Sequence, residues 1–544
     1  MQIETVDNNN SIKDEHRGWS WETPPAPIPE SEIVETVETE IVVIGGGIAG
    51  LAAGARAAEL GQKVVVLEKS KGLVARGAHI ASVGSKTQRE NGVFIDKKQF
   101  ARDWLRICGS RVNEDLLWLY INKSEEAYEW LVELGGDAVE SRLFGGYYRG
   151  PDFTEYPGTH YIASKPQLDA DGKLIMDDNG RPKNKYRYGG AMLYCEILQD
   201  TCLQNGGQII RQTRAEQLEK NGDKVTAVIA KGEDGKYRRF KGTKAVILAT
   251  GDIGADKEML AAYCPIALVP NRNGYYPPGL NTGDGHKMGF WAGAAAETAP
   301  WALSLHLIAY ALYAFFFLHV NRQGKRFMNE DTWVQAKAIR CLMQPQGDWA
   351  FSVFDAKWFD ELTHLAQVSG GQFVDPMMCD YGNPWNSPAP FPPGNTTNGV
   401  DKQIENYVEK GFCYKADTIE ELAEKADLPV ENLVATVNRY NEIVKNQDDV
   451  DYGKRSILLT SITKPPYYAL KWGPAFLNVH GGLLVDTGMR ILDAEQKPIP
   501  GLYGVGNVTG GLYGVDYPLL FNGNSHSRAL VWARAAIDSI INGN

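Results

Sequence analysis

The chain has 544 residues, of which 43% are hydrophobic and 23% charged, and its formal net charge at pH 7 is -11. This length exceeds the usual size of a single hydrophobic core, so we expect at least two domains, or one domain with a large insertion. The negative charge, with no basic stripe to offset it, argues against nucleic acid as a partner.

The cysteines and the first residues of the chain predict a cytoplasmic protein. Seven cysteines are scattered without a Cys-x-x-Cys pair, so neither a metal site nor an iron–sulfur cluster is indicated, and reduced core thiols are expected. Residues 1–37 are polar and acidic, contain several prolines and lack the features of a secretory signal. We predict that they form an extended arm, held to the surface by Trp19 and Trp21.

The stretch from Thr39 to Lys69 predicts a dinucleotide-binding unit. Residues 41–44 form a continuous apolar run, typical of a parallel strand buried on both faces. Gly45, Gly47 and Gly50 then have the spacing that permits a tight turn, a close approach of the backbone to a pyrophosphate, and close packing of helix on strand.

The residues after these glycines complete the unit. Residues 52–60 are rich in alanine and predict a helix, and residues 64–67 predict a second strand. Glu68 follows this strand, about 20 residues beyond the glycines, where a carboxylate can accept hydrogen bonds from ribose hydroxyls. From this stretch alone, either FAD or NAD is possible.

Further along, helices are expected at 97–108, 114–134 and 191–204, and strands at 208–211, 225–230 and 244–250. The apolar run 299–320 is long enough to raise the question of a membrane span. Polar residues and a proline interrupt it, so buried core, a pocket wall or an oligomer contact is expected instead of a transmembrane segment.

Several motifs in order resemble the fumarate reductase and succinate dehydrogenase flavoprotein superfamily. Besides the glycine-rich stretch, they are Ala249-Thr250-Gly251 and residues 281–286, 321–330 and 498–507. The resemblance covers nearly everything from Glu38 to Asn542 and implies FAD.

The resemblance also implies a fold of the α/β class. A Rossmann-like FAD-binding domain with a GR2-type parallel sheet would carry an inserted α+β capping domain, with the flavin between the two. The arm would occupy 1–37, the FAD-binding domain 38–289 and 468–544, and the capping domain 290–467.

These motifs predict the cofactor-binding residues. His79 lies in the loop where some relatives carry a histidine bonded covalently to the flavin, but its register differs by one, so noncovalent FAD is expected. The predicted set is Gly45, Gly47, Ala49, Gly50, Glu68, Lys69, Ala78, His79, Gly84, Ala249, Thr250, Gly251, Asp284, Gly506, Asn507 and Ser525.

The sequence departs from fumarate reductases at three positions. The position of their substrate-binding arginine lies within Asp516-Tyr517-Pro518, which contains no arginine. Residues 478–482 replace their His-Thr-x-Gly-Gly motif, and Val334 occupies the position of their proton-donating arginine. A dicarboxylate needs cationic, bidentate partners. Fumarate and succinate are therefore poor candidates for the substrate.

Tyr517-Pro518 instead resembles the Tyr-Pro of 3-ketosteroid dehydrogenases and steroid-reducing flavoproteins. In those enzymes the tyrosine hydroxyl and a glycine N–H hold the ketone oxygen as an oxyanion hole would. The corresponding turn is two residues longer here, and Gly523 is the candidate donor. The predicted catalytic residues are Tyr517, Gly523, His480 and Asn478.

The sequence predicts an FAD-dependent oxidoreductase that reduces or forms a C=C bond conjugated to a ketone. The expected substrate is bulky and hydrophobic, with a 3-oxosteroid as the first candidate, and the electron partner is unidentified. The family's catalytic tyrosine also falls at Val334, which leaves Tyr147, Tyr148, Tyr161, Tyr310 and Tyr313 as alternative proton donors. Two alternatives stay open. One is a cinnamate-like or urocanate-like acid bound by Arg528 or Arg326, and the other is an electron-transfer flavoprotein without an organic substrate.

Overall fold

A computed structural model of the chain describes residues 18–144, 148, 150–153, 158–178, 180, 182–186, 189–270, 272–273, 278–309, 315–369 and 400–543. Within them, the strands are β1 (Ile33–Ile44), β2 (Val64–Leu67), β3 (Ile80–Ala81), β4 (Val139–Phe144), β5 (Thr159–Ser164), β6 (Gln208–Ile210), β7 (Arg214–Asn221), β8 (Lys224–Lys231), β9 (Tyr237–Leu248), β10 (Arg272–Asn273), β11 (Leu303–Ala309), β12 (Leu318–Val320), β13 (Ala350–Phe354), β14 (Cys413–Ala416), β15 (Tyr467–Val479), β16 (Arg490–Leu492) and β17 (Pro498–Gly504).

The α-helices of the same residues are α1 (Ile48–Glu59), α2 (Lys86–Glu90), α3 (Lys97–Ile107), α4 (Glu114–Gly135), α5 (Ala191–Gln204), α6 (Lys257–Tyr263), α7 (Asp284–Trp291), α8 (Val334–Leu342), α9 (Trp358–Ser369), α10 (Val400–Glu409), α11 (Ile419–Lys425), α12 (Val430–Asn446) and α13 (Asn524–Asn542).

The first sheet carries the glycine-rich turn and has the order β16-β17-β9-β1-β2-β6. The pairs from β17 to β6 are parallel, whereas β16 is antiparallel to β17. β8 joins this sheet antiparallel to β9, and β7 pairs with β8. The apolar ends of β1, β2 and β9 are buried, as expected for parallel strands covered on both faces.

Helix α1 packs against α5 and α13 and covers the first sheet. Its alanines and glycines permit a close approach, since a Cβ on Gly54 would come within 2.7 Å of a methyl of Val66. The predicted α/β fold is confirmed. The predicted strand 41–44 is the last third of a longer strand, because residues 33–40 pair with β9 although most of their side chains are exposed or half-buried.

The second sheet contains β10, β11, β12, β13, β14 and β15, with β15 paired to four of the others. β15 crosses the predicted domain boundary at residue 467, so this strand belongs to the second sheet as far as Val479. A third sheet has the order β3-β5-β4. The predicted domain boundaries stay predictions.

The structure also places the N-terminal tryptophans and most of the apolar run 299–320. Trp21 is buried and stacks on Trp19, with ring centroids 5.3 Å apart. Of the apolar run 299–320, residues 301–304 and 315–320 are buried, and residues 310–314 lie outside the described part. No helix in the part of the chain that the structure describes is long and apolar enough to cross a membrane.

Candidate functional site

A cavity of about 600 Å³ lies at the carboxyl ends of the parallel strands of the first sheet. Residues that end or directly follow β1, β2, β9 and β17 line it, in agreement with the rule that ligands bind outside the carboxyl ends of parallel strands. The predicted residues that line the cavity are Gly45, Gly47, Ala49, Glu68, Lys69, Ala78, His79, Ala249, Thr250, Gly251, Asp284, Asn478, Gly506, Asn507, Tyr517, Gly523 and Ser525.

The glycine turn places bare backbone at the start of α1. Gly45 has φ +113°, and a Cβ there would lie 2.3 Å from the carbonyl oxygen of Ala249. Gly47 caps α1 without a side-chain hydrogen bond, and a Cβ on it would meet no atom within 4 Å. The first N–H groups of α1 therefore face the cavity as an anion site.

Gly50 does not line the cavity, and its role is in the packing of α1. A Cβ at Gly50 would lie 1.8 Å from the carbonyl oxygen of Gly45. Its absent side chain is what lets α1 approach the turn that holds the cavity wall.

The carboxylate predicted for the ribose is fixed by backbone donors. Glu68 is buried, and its two oxygens accept hydrogen bonds from the N–H groups of Gly46 (2.6 Å) and Ser70 (2.7 Å). Each of these oxygens keeps a further acceptor position. Glu68 can therefore accept hydroxyl hydrogens from a ligand without losing its hold on the glycine turn.

Asp284 begins α7 beside this carboxylate. Lys69 Nζ lies 2.9 Å from one of its oxygens, and Arg214 Nη2 lies 3.0 Å from the other. Burial by itself would raise the pKa of Asp284, but the two cations outweigh it and hold the pKa below its usual value. Arg214 begins β7 and was missed in the sequence because it stands in no motif.

At the other end of the cavity, the Tyr517 hydroxyl lies at the N-terminus of α13. It accepts a hydrogen bond from the N–H of Ser525 (3.2 Å) and donates to Ser525 Oγ (3.3 Å). Burial raises the pKa of Tyr517, so the phenol stays protonated at neutral pH. The predicted partner Gly523 lines the same cavity as the residue that caps α13.

His480 lies behind Tyr517 and does not line the cavity. The two rings stack with their centroids 4.4 Å apart, and His480 Nε2 is 3.0 Å from Ser304 Oγ. Burial, assisted by the positive charge of Arg528, holds the pKa of His480 well below its usual range. The imidazole is therefore neutral, and Ser304 is the member of this pair that reaches the cavity.

Several apolar side chains line the same cavity as Tyr517. They include Leu519, Leu477 and Val334, the first residue of α8. Among the described residues that line the cavity, the cations are Lys69, Arg76 and Arg214.

Neither arginine proposed for a carboxylate substrate lines the cavity. Arg326 makes hydrogen bonds of 2.8 Å to Glu330 and Asp449, and Arg528 is fully buried beneath the site. Gly84 also lies outside the cavity wall, with its N–H bonded to Gln88.

The alternative proton donors do not take a place in the wall that the structure describes. Tyr148 and Tyr161 are buried outside it, and the Tyr148 hydroxyl accepts a hydrogen bond from the N–H of Asp152. Tyr147, Tyr310 and Tyr313 lie outside the described residues. Sequence reasoning missed several lining residues, including Asn281 of the motif 281–286: Arg76, Thr213, Ala215, Asn281, Met288, Ser304, Leu519, Asn522 and His526.

The strand-end cavity, the bare helix start and the anchored Glu68 are the features of a dinucleotide-binding flavoprotein, and the residues present fit FAD. The sequence profile of the FAD binding domain family matches residues 40–523. The chain belongs to this family, and the FAD expected from the motifs is confirmed. Noncovalent attachment stays a prediction.

Two relatives share most of the chain. It is 25% identical over 517 residues to the probable fumarate reductase Ifc3 of Shewanella frigidimarina. The matched region covers 92% of this chain and 74% of that protein. It is 24% identical over 503 residues to the vinyl phenol reductase of Lactiplantibacillus plantarum, which covers 88% of this chain and 91% of that protein.

A solved structure shows the same fold. The 3-ketosteroid-Δ4-(5α)-dehydrogenase of Rhodococcus jostii RHA1, in complex with 4-androstene-3,17-dione, has a TM-score of 0.68 with this chain at 22% identity. The match covers 94% of this chain and 99% of that one. The superfamily resemblance read from the motifs is confirmed by this set of relatives.

Proposed function

We propose that the protein is an FAD-dependent oxidoreductase that reduces, or forms, a C=C bond conjugated to a ketone in a bulky apolar substrate, with a 3-oxosteroid as the first candidate. One observation carries the proposal. The cavity that fits FAD also contains the protonated hydroxyl of Tyr517, held at a helix N-terminus, and the apolar side chains of Leu477, Leu519 and Val334 line the same cavity.

The Tyr517 hydroxyl suits a ketone oxygen. When a hydride adds to the β-carbon of an enone, negative charge develops on that oxygen, and a preorganised donor stabilises it. The hydroxyl accepts a hydrogen bond from the Ser525 N–H at the start of α13, which strengthens its own proton as a donor. Ser525 Oγ accepts that proton at 3.3 Å, so a bound ketone oxygen would replace Ser525 Oγ as its acceptor. FAD supplies the hydride chemistry when it is bound.

The charges of the cavity support a neutral substrate. Of the three cations in the described wall, Lys69 and Arg214 are engaged with Asp284, and Arg76 is the third. A carboxylate bound away from Arg76 would lose its hydration without a cationic partner. The names of the two relatives, a fumarate reductase and a vinyl phenol reductase, support C=C chemistry in general.

An unsaturated acid is the second candidate, favoured by the fumarate reductase among the relatives. It requires a cation near the substrate, and Arg326 is already bonded to Glu330 and Asp449. An electron carrier without an organic substrate is less well supported, because the predicted capping domain would serve to exclude water from a reacting substrate.

The test is reoxidation of the reduced holoenzyme. The FAD-loaded protein is bleached with dithionite under anaerobic conditions and then mixed with 4-androstene-3,17-dione, progesterone, cinnamate, urocanate or fumarate. We expect the enones to restore the flavin absorbance and the acids to leave it bleached. Reoxidation by the acids alone would overturn the proposal in favour of an enoate reductase, and reoxidation by neither class would favour the electron carrier.

A further inference from the structure

Arg528 is a cation at the back of the FAD site that the proposed reaction does not use. It lies one turn into α13, is fully buried, and its guanidinium carbon lies 4.8 Å above the ring of Tyr513. Its Nη2 donates a hydrogen bond to the side-chain oxygen of Asn507. Asn507 lines the cavity, so the guanidinium is separated from the cofactor space by one amide.

This charge has no anionic partner among the described residues. Its Nε and Nη1 are buried without a hydrogen-bond acceptor, and it forms no ion pair there. The other buried arginines differ, since Arg534 pairs with Glu126, and Arg326 pairs with Glu330 and Asp449. A buried ion costs several kcal/mol unless an opposite charge compensates it.

The nearby carboxyl of Glu297 supplies only part of that compensation. Arg528 acts on it electrostatically, but burial raises the pKa of Glu297 to about 7, so at neutral pH the group is only partly ionised. The position of Arg528 near the start of α13 adds to the uncompensated positive charge, because the N-terminal end of a helix already carries a positive partial charge. Both features direct uncompensated positive potential toward the cavity.

FAD acquires negative charge when it is reduced. Two electrons and one proton added to the oxidised flavin leave an anion at neutral pH, and this charge is absent from the oxidised flavin. A fixed cation that meets it therefore favours reduced over oxidised FAD. We propose that Arg528 is a residue that sets the reduction potential of the bound FAD, acting through Asn507, with the reduced cofactor as its counter-ion.

The test compares the wild type with Arg528→Gln, Arg528→Lys and the control Arg534→Gln, all loaded with FAD and measured without substrate. The midpoint potential is obtained by slow anaerobic reduction against a reference dye. We expect Arg528→Gln to lower the equilibrium constant for reduction at least tenfold, which is about 30 mV for a two-electron couple. Arg528→Lys should retain most of the wild-type potential, and Arg534→Gln should leave it unchanged.

Sulfite supplies a second readout, since it adds to oxidised flavin and leaves negative charge on the ring. We expect sulfite to bleach the wild type and to bind at least tenfold more weakly to Arg528→Gln. An unchanged potential in FAD-loaded Arg528→Gln would overturn the proposal, as would a change only in the KM for an unsaturated acid. If this variant does not retain FAD, a wild type that sulfite fails to bleach overturns it.

Discussion

The imidazole of His480 lies nearly parallel to the phenol ring of Tyr517, with ring planes 14° apart and ring centroids 4.4 Å apart. Both groups are buried and uncharged at neutral pH, because the pKa of Tyr517 is raised and the pKa of His480 is lowered. The stack fixes the orientation of the phenol while leaving its hydroxyl in the cavity. Tyr517 is thus held as a neutral hydrogen-bond donor.

Removal of this donor should affect the chemical step. Tyr517→Phe keeps the ring and its stack but loses the hydroxyl, so we expect kcat on enones to fall by about 100- to 1,000-fold, the usual cost of one oxyanion donor. Tyr513→Phe is the matched control, because the Tyr513 hydroxyl donates a hydrogen bond to Asn524 Oδ1 and Tyr513 does not line the cavity. If Tyr517→Phe keeps full kcat/KM on every enone that the wild type accepts, the polarising role is wrong.

Alanine substitutions at Gly47 and Gly50 should have different effects, on cofactor binding at Gly47 and on helix packing at Gly50. Gly47→Ala adds a methyl group that meets no protein atom, so the apoprotein should unfold at the wild-type temperature while FAD is lost or weakly held. Gly50→Ala forces its methyl onto the carbonyl of Gly45, so the apoprotein itself should be destabilised. Thermal unfolding of both apoproteins and FAD titration by fluorescence measure the difference. Equal unfolding temperatures for the two variants would contradict it.

Arg326 should serve stability and not substrate binding. Its side chain is 7% exposed and paired with Glu330 and Asp449. Arg326→Met leaves Asp449 without an ion pair among the described residues and Glu330 with Lys454 alone, so it should lower the free energy of unfolding by about 3–5 kcal/mol. Arg439→Met removes an exposed pair with Asp451 and should have a much smaller effect in the same urea titration. A rise in KM for unsaturated acids with unchanged stability would instead assign Arg326 to the substrate.

Lys337 should make stability depend on pH. Burial lowers its pKa to about 7 in the folded chain, whereas the unfolded value is about 10.4. Between these values the unfolded chain binds more protons, so the wild type should gain stability as pH rises from about 7 to about 10, by at most about 1.4 kcal/mol per pH unit from this group.

Lys337→Met removes that contribution. The difference in free energy of unfolding between wild type and variant, measured by urea denaturation, should therefore rise with pH across this window and stay flat below it. Lys97→Met, at an exposed position of α3, should give a difference that does not vary with pH. A flat difference for Lys337→Met would show that its amine keeps its ordinary pKa.

The local part of the cofactor site could be predicted from the sequence. The strand, the glycines and Glu68 are contiguous, and each position has a steric or hydrogen-bonding requirement that few residue types meet, as Gly50 shows. Tyr517 could be found because it stands beside a proline in a motif. These features depend on neighbours in the chain.

The long-range part could not be predicted in this way. No local pattern states that β15 pairs with β11, β13 and β14, so the second sheet extends past the predicted boundary at residue 467. His480 was expected in the site, but its ring lies behind Tyr517. The sequence could not show this, because the distance of the ring from the cavity depends on how the end of β15 lies relative to α13. That Arg528 forms no ion pair among the described residues is likewise visible only in three dimensions.

The parallel pairing of β9 with β17 constrains the order in which the chain can fold. β9 lies between β1 and β17, yet residues 498–504 are synthesised long after residues 237–248. During synthesis, residues 246–248 of β9 stay unpaired on the β17 side, although residues 237–241 already pair with β8, while the residues of the second sheet emerge and form their own contacts. The cofactor sheet closes last, so FAD capture should be a late event in the biogenesis of this protein, and chains stalled before β17 should be prone to aggregation.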